Sequence, residues 1–147
     1  MGAALDNLMI LGDQMPTGLW VTAPYWFLSA ESDRNRRFSA NYQARYHTFP
    51  SHQAYGAYAA VYAFKAAVEK TGTTDNKSVA AALANLSIDL PGGRTSFRGA
   101  DHQAVADVWW GRTIAHPAYP MRILEPLKRF RGTTITRPVN ATGCSMR

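Results

Sequence analysis

The chain has 147 residues, and 46% of them are hydrophobic, which is enough to bury a core and to exclude an intrinsically disordered protein. Sixteen Lys and Arg residues against ten Asp and Glu give a net charge of +6, but the arginines are scattered and no RNA-binding signature interleaves with them. We therefore predict a basic exterior, and a basic nucleic-acid-binding domain is the less favoured alternative.

Targeting and redox features are few. The single cysteine, Cys144, excludes an internal disulfide and a zinc site built from thiolates, and only Arg147 lies near it to activate the thiol. No run approaches the roughly 20 apolar residues of a membrane span. The first fifteen residues lack the charged region and the cleavage site of a signal peptide. We predict no cofactor and no metal.

The first predicted elements are a short helix and a strand. Apolar residues at helical spacing predict a helix over 3–11, closed by Gly12. The run after the Pro-Thr-Gly turn predicts a strand over about 18–23, which Pro24 ends. Because this strand is apolar on both faces, we expect it to be buried between helices, as in a parallel sheet.

Two helices follow. The first begins at an N-cap, Ser32 or Asp33, and the second, which is the longest in the chain, runs from Ser51 to Gly72. An alanine-rich face of the long helix would let neighbouring elements approach closely. One face of the first helix carries Phe38, Tyr42, Arg45 and Tyr46, and a 3.6-residue period in the second relates Ala54, Tyr58, Val61, Tyr62, Lys65 and Val68.

A third helix is predicted over 76–85, with Asp75 as its cap and the sequence "DLPGG" as its break. Its inward-facing residues are Val79, Ala82, Leu83 and Leu86. The chain then predicts two antiparallel strands, 94–98 and 104–114, joined across "GADHQ". Beyond Pro117 we expect an irregular tail with at most one more strand.

The cluster Asp101-His102-Gln103 invites a catalytic or metal-binding interpretation. No other histidine stands at ligand spacing from it, so the hairpin connection is the favoured reading, with indirect support of a ligand as a further possibility. Asp101 can bond the backbone two residues on, and Gly99 can adopt positive φ. In the second strand, Trp109 and Trp110 point to opposite faces, so at most one of them enters the core.

The predicted elements look incomplete, because one parallel-type strand and one hairpin cannot cover three amphipathic helices. We therefore expect part of an α/β protein whose remaining strands come from a longer gene product or from another chain. Bare strand edges and apolar helix faces would favour self-association of the chain.

Three stretches in this order resemble the C-terminal portion of the type I periplasmic solute-binding proteins, and within them the branched-chain amino acid receptors of ABC transporters. They are "LMILGDQMPTGLWVTAPYW", "RRFSANYQARYHTFPSHQAYGAYAAVYAFKAAVEKTGTTD" and "VAAALANLSIDLPGGRTSFRGADHQAV". The resemblance extends over about residues 5–114. It implies an α/β, two-lobed fold of which this chain holds part, with incomplete sheets.

The resemblance also implies lobes and a function. Residues 18–72 would belong mostly to the first lobe, 75–114 to the second, and 115–147 to the tail. The intact protein would be periplasmic and not an enzyme: it would capture a small solute, such as an amino acid or an aromatic or amide compound, by hinge closure and deliver it to an ABC permease. A ligand-sensing regulatory domain of the same fold is the alternative.

Family members present the start of the long helix, and the loop after the preceding strand, to the ligand cleft. By this resemblance Tyr25, Trp26, Gln53 and Tyr55 are the candidate ligand contacts, with packing in the core or between lobes as the alternative. The free N–H groups at the helix start would favour a carboxylate.

Overall fold

The computed structural model describes residues 5–29, 32–141 and 143, so that Cys144 lies outside the described part. Five α-helices, two 3-10 helices of three residues each and seven short strands occur within it. The α-helices are α1 (Leu5–Leu11), α2 (Asp33–Tyr46), α3 (His52–Thr71), α4 (Asn76–Leu83) and α5 (Gly132–Ile135). The strands are β1 (Trp20–Ala23), β2 (Ser87–Leu90), β3 (Gly93–Phe97), β4 (Ala104–Val105), β5 (Val108–Ile114), β6 (Ile123–Leu124) and β7 (Lys128–Phe130).

The strands form two small open sheets. In the larger sheet β5 is flanked by β1 and β6, and β7 also pairs with β5; the smaller sheet has the order β2-β3-β4. Every one of these pairings is antiparallel. The predicted mixture of helices with incomplete sheets is confirmed.

The predicted environment of β1 is wrong. Instead of lying in a parallel sheet with both faces covered, β1 pairs antiparallel with β5, and its residues alternate between exposed and buried. Val21 and Ala23 face the core, whereas Trp20 is 55% exposed. The apolar composition misled the prediction because Trp20 rests on an aromatic neighbour, Trp110, in an edge-to-face contact at 5.4 Å, and not beneath a helix.

The three main helices begin where their capping residues predict. Ser32 caps α2 by accepting from the Asn35 N–H, Ser51 caps α3 by accepting from the Ala54 N–H, and Asp75 caps α4. At the other end of α3, Gly72 adopts the left-handed conformation that a helix stop requires. The alanine-rich face of α3 is the buried one, and its fully buried members are Ala63 and Ala67.

The predicted helix break "DLPGG" is a hairpin. Ser87–Leu90 forms β2, which the sequence analysis missed, and it pairs with β3 across Pro91 and Gly92. Gly93 has a φ of +118°, which residues other than glycine rarely adopt. Helix α4 consequently ends at Leu83, two residues earlier than predicted.

The predicted strand 104–114 is in fact two strands in different sheets. β4 pairs with β3 and completes the predicted hairpin. The strand is then interrupted at Ala106 and Asp107, and β5 belongs to the other sheet. The Asp107 carboxylate accepts from the Gly132 N–H at 2.9 Å and pairs with Arg129. These two contacts hold Asp107 against the tail, so the residues after β4 no longer pair with β3.

In its described residues the tail has more regular structure than predicted, with two strands and a short α-helix in place of at most one strand. Both strands pair with β5: β6 pairs with Thr113 and Ile114, and β7 pairs with Val108 to Trp110. Trp109 and Trp110 point to opposite faces of β5 as expected, and Trp110 is the outward one.

Two apolar clusters hold the described residues together. The larger cluster joins α1, β1 and β6 to the loop after β1, and the smaller one joins α3 to α4 through Ala67, Val79 and Ala82. Large apolar side chains also remain in solvent, among them Val61 at 65% and Phe64 at 50% exposure on α3. None of the helices described here is both long and apolar enough to cross a membrane.

Candidate functional site

A groove of about 700 Å³ lies where the start of α3 faces the loop after β3 and the tail. Its walls come from segments far apart in sequence, including Pro24, the first turn of α3, residues 101–108 and 135–137. This volume falls within the range typical of small-molecule sites. Its polar and charged lining residues include His52, Tyr55, Arg98, Asp101, Gln103 and Arg137.

The Tyr55 ring forms part of the groove wall and stacks on the ring of Tyr25. The two ring centroids lie 4.3 Å apart and the planes are inclined by 13°. Tyr25 is only 2% exposed, so it lies behind Tyr55 and does not line the groove. The buried Tyr25 ring thus packs against the Tyr55 ring on the side away from the groove.

Tyr25 is itself held by polar contacts from α2. Its hydroxyl donates to Asn35 Oδ1 at 2.8 Å and lies 3.3 Å from Ser39 Oγ. The Asn35 amide in turn donates to the Phe27 carbonyl at 2.9 Å, so α2 is tied to the loop that carries Tyr25. Burial raises the pKa of Tyr25 well above its ordinary value, against the opposing effect of the Ser39 contact.

Tyr55 also contacts the β2–β3 hairpin. Burial raises the pKa of Tyr55, while hydrogen bonds with the Thr95 side chain and the Gly92 backbone lower it by a smaller amount. Gly92 is closely packed there, since a Cβ at this position would lie 2.9 Å from Tyr55 Cζ and Oη. The phenol is therefore neutral at physiological pH and positioned from two sides.

The Asp101 loop is a structural connection, as its favoured reading predicted. Asp101 accepts from the Gln103 N–H and pairs with Arg98, and this pairing holds the pKa of Asp101 below its usual range. The expectation for Gly99 is wrong, because the positive φ in this loop, 55°, belongs to His102. Gly99 instead allows the backbone to pack closely against the Asn85 side chain, since a Cβ at Gly99 would lie 2.6 Å from the Asn85 amide nitrogen.

The charges around the groove leave an uncompensated cation. Asp101 is paired with Arg98, and Asp107 with Arg129. Arg137 lines the groove, and within the described residues its side chain makes no ion pair with a carboxylate. Since the first-turn N–H groups of a helix carry positive partial charge, the groove wall at the start of α3 favours an anionic group.

The family follows from a sequence comparison. A sequence model described as periplasmic binding protein matches residues 3–116 of the chain. The chain belongs to the periplasmic binding protein family. The predicted family is thereby confirmed, whereas no curated protein matches the sequence.

Solved periplasmic binding proteins share the fold. An amino acid ABC transporter substrate-binding protein from Pseudomonas fluorescens is 26% identical, with a TM-score of 0.81, over 97% of this chain and 38% of its own. An ABC-type branched-chain amino acid transporter from Rhodopseudomonas palustris is 25% identical, with a TM-score of 0.81, over 94% of this chain and 37% of its own. A solute-binding protein from Rhodopseudomonas palustris in complex with 3,4-dihydroxy benzoic acid is similar in fold, with 21% identity and a TM-score of 0.68. The similarity covers 83% of this chain and 34% of that protein. The chain thus spans less than two fifths of these relatives' length.

The four candidate contact residues occupy different positions in this periplasmic binding protein. Tyr55 lines the groove, and Tyr25 supports it from behind. Trp26 is 1% exposed in the core, where its Nε1 has no hydrogen-bond partner among the described residues. Gln53 is exposed on the first turn of α3 and does not line the groove.

Other lining residues escaped the sequence analysis. Neither Arg98 nor Arg137 belongs to a local sequence motif. They lie together in the fold, where the Arg98 guanidinium donates to the Arg137 carbonyl at 2.6 Å although the two residues are 39 apart in sequence. His52 follows the predicted cap Ser51, and its place in the first turn was the one available signal. Among the residues described, no group of three or more His, Cys, Asp or Glu side chains is placed to hold a metal ion.

Proposed function

We propose that the intact protein containing this chain is the solute-binding component of an ABC transporter and that it acts in the periplasm. Family membership carries this proposal, since the match covers residues 3–116. The protein performs no chemistry on its solute. It binds the solute between two lobes, closes by a hinge motion, and presents the closed form to a permease.

We propose that residues 18–72 belong mostly to one lobe and residues 75–114 to the other, with the tail following. The antiparallel pair of β1 and β5 then joins the two segments, in the register that places Val21 opposite Gly111. Strands shared between lobes would transmit closure as a small rotation about this pair. Bound solute favours the closed form only to the extent that it contacts both segments.

The groove supports a solute with an aromatic or apolar body and a carboxylate. The Tyr55 ring offers a flat wall, and the start of α3 with Arg137 offers positive potential for the carboxylate. Gln53 would contact the solute after closure, and Tyr25 and Trp26 would hold the wall in place. One structural neighbour is known in complex with 3,4-dihydroxy benzoic acid, a compound of this class.

A thermal-shift screen of the intact protein tests this function. Aromatic acids and branched-chain amino acids are compared, and a solute present at about 100 times its dissociation constant stabilises by about 2.7 kcal/mol. We expect an aromatic acid to give a shift that Arg137→Gln abolishes. The control is Arg131→Gln, which removes a neighbouring exposed charge that does not line the groove. Absence of a shift with every compound, or an equal loss in both variants, contradicts the proposal.

A further inference from the structure

A second groove, separate from the first, runs between α2 and α3. It encloses about 630 Å³ and shares none of its lining residues with the groove at Tyr55. We call it the tyrosine groove and define it by Arg34, Arg37, Tyr42, Arg45, Tyr58 and Tyr62.

The tyrosine rings of this groove are held against one another. Tyr58 stacks on Tyr62 at 4.3 Å between centroids, and Phe38 packs on Tyr58 at 4.7 Å from the core side. Tyr42 packs on Tyr46 at 4.6 Å. Rings that pack against one another lose less conformational entropy than free side chains when a partner binds them.

The charges in this groove all have one sign. Arg34, Arg37 and Arg45 line it, no Asp or Glu does, and within the described residues none of the three forms an ion pair. The Arg45 guanidinium lies over the Tyr46 ring at 5.7 Å. An open groove that combines three cations with stacked tyrosine rings is suited to a negatively charged partner.

We propose that the tyrosine groove docks an acidic segment of a partner protein. Tyrosine and arginine are the residues most enriched where proteins contact one another, since each combines a large apolar surface with directed hydrogen bonds. Carboxylates of the partner pair with Arg34 and Arg37, which lie one helical turn apart on α2, while the hydroxyls of Tyr42 and Tyr62 donate to backbone carbonyls. The proposal does not depend on the solute bound at Tyr55.

Fluorescence anisotropy with a short labelled polyglutamate peptide tests the docking, with polyglutamine of equal length as the uncharged probe. We expect the chain to bind polyglutamate, less tightly as salt rises, and to bind polyglutamine at least about tenfold more weakly. The double variant Arg34→Glu/Arg37→Glu weakens binding by about tenfold or more. Both residues are exposed near the start of α2, where acidic substitutes suit the helix.

The matched control is Lys77→Glu/Arg131→Glu, which changes the net charge equally at exposed positions outside the groove. We expect less than about a twofold change there, whereas Tyr62→Ala, which alters no charge, weakens binding by about threefold or more. Equal losses in the two charge variants, unchanged binding in Tyr62→Ala, or no binding of polyglutamate would overturn the proposal. Binding to phosphatidylglycerol vesicles without binding to the peptide would overturn it as well, in favour of a membrane surface.

Discussion

Tyr25 and Tyr55 form a stacked pair, 4.3 Å between ring centroids, that connects the strand β1 side of the molecule to the start of α3. Tyr25 is anchored from behind by Asn35, and Tyr55 is confined in front by Gly92. The position of the groove wall thus depends on contacts from α2 and from the β2–β3 hairpin together.

Gly92 sets the distance between the hairpin and this pair. A Cβ at Gly92 would lie 2.9 Å from Tyr55 and 3.2 Å from Tyr25, and the stacked rings cannot both withdraw. We expect Gly92→Ala to lower the free energy of unfolding by about 1–3 kcal/mol in urea denaturation. The control is Gly56→Ala in α3, where a Cβ meets nothing within 4 Å and should stabilise by about 0.5–1 kcal/mol. A Gly92→Ala protein as stable as the parent contradicts this packing.

Ser51 determines where α3 begins. Its hydroxyl accepts from the Ala54 N–H at 3.2 Å, so Ser51→Ala should cost about 1 kcal/mol in the free energy of unfolding, measured by urea denaturation. Ser51→Asp keeps an acceptor at the cap and should retain most of the stability. If the alanine and aspartate variants lose the same stability, the capping role is refuted.

Buried tyrosines make the fold sensitive to alkali. In the unfolded chain a tyrosine loses its proton near pH 10.0, whereas burial raises the pKa of Tyr25 and Tyr55 in the folded protein, and that of Tyr58 to about 12. Above pH 10 the unfolded state therefore releases protons that the folded state retains. Ionisation of these tyrosines leaves the free energy of unfolding unchanged well below pH 10 and lowers it progressively as the pH rises above 10.

Tyr25→Phe separates the contributions. At pH 8 it loses the bond to Asn35, at a cost of about 0.5–1.5 kcal/mol, but it cannot ionise, so its further loss of stability above pH 10 is smaller than that of the parent. Urea titrations at pH 8 and above pH 10 measure both effects. Identical falls in stability for variant and parent would show that Tyr25 does not contribute.

The exposed apolar face of α3 should make the isolated chain associate. Val61 is 65% and Phe64 50% exposed, and a bare apolar surface of this kind favours contact between copies. We expect Val61→Ser/Phe64→Ser to shift sedimentation toward the monomer without loss of stability, whereas Ile10→Ser on α1 should have a weaker effect. A parent chain that is monomeric at high concentration contradicts this expectation.

The sequence predicted those features of the fold that depend on neighbouring residues. The caps Ser32, Ser51 and Asp75 and the helix stop Gly72 act locally, and the structure confirms each of them. Strand pairing depends on partners elsewhere in the chain. The break at Asp107 required the tail to supply Arg129 and Gly132, and no local pattern announces a contact 25 residues away.

The candidate site was predictable to a similar extent. The family resemblance named Tyr55 as a candidate ligand contact, and the structure places it in the groove wall, while its contact with a solute stays a prediction. It did not identify Arg98 or Arg137, because their meeting depends on how the tail returns to the loop after β3. The burial of Tyr25 and Trp26 likewise follows from packing between α2 and the loop, which the apolar sequence "PYWF" alone does not distinguish from an exposed cluster.

In the proposed function this chain supplies one wall of a solute site, and the rest of a two-lobed protein supplies the remaining wall. Isothermal titration with the aromatic acid that gives the largest thermal shift, on the intact protein and on this 147-residue chain, tests this division of the site. We predict binding by the intact protein, loss of that binding in Tyr55→Ala, and no measurable binding by the isolated chain. Submicromolar binding by the isolated chain as a verified monomer would contradict it.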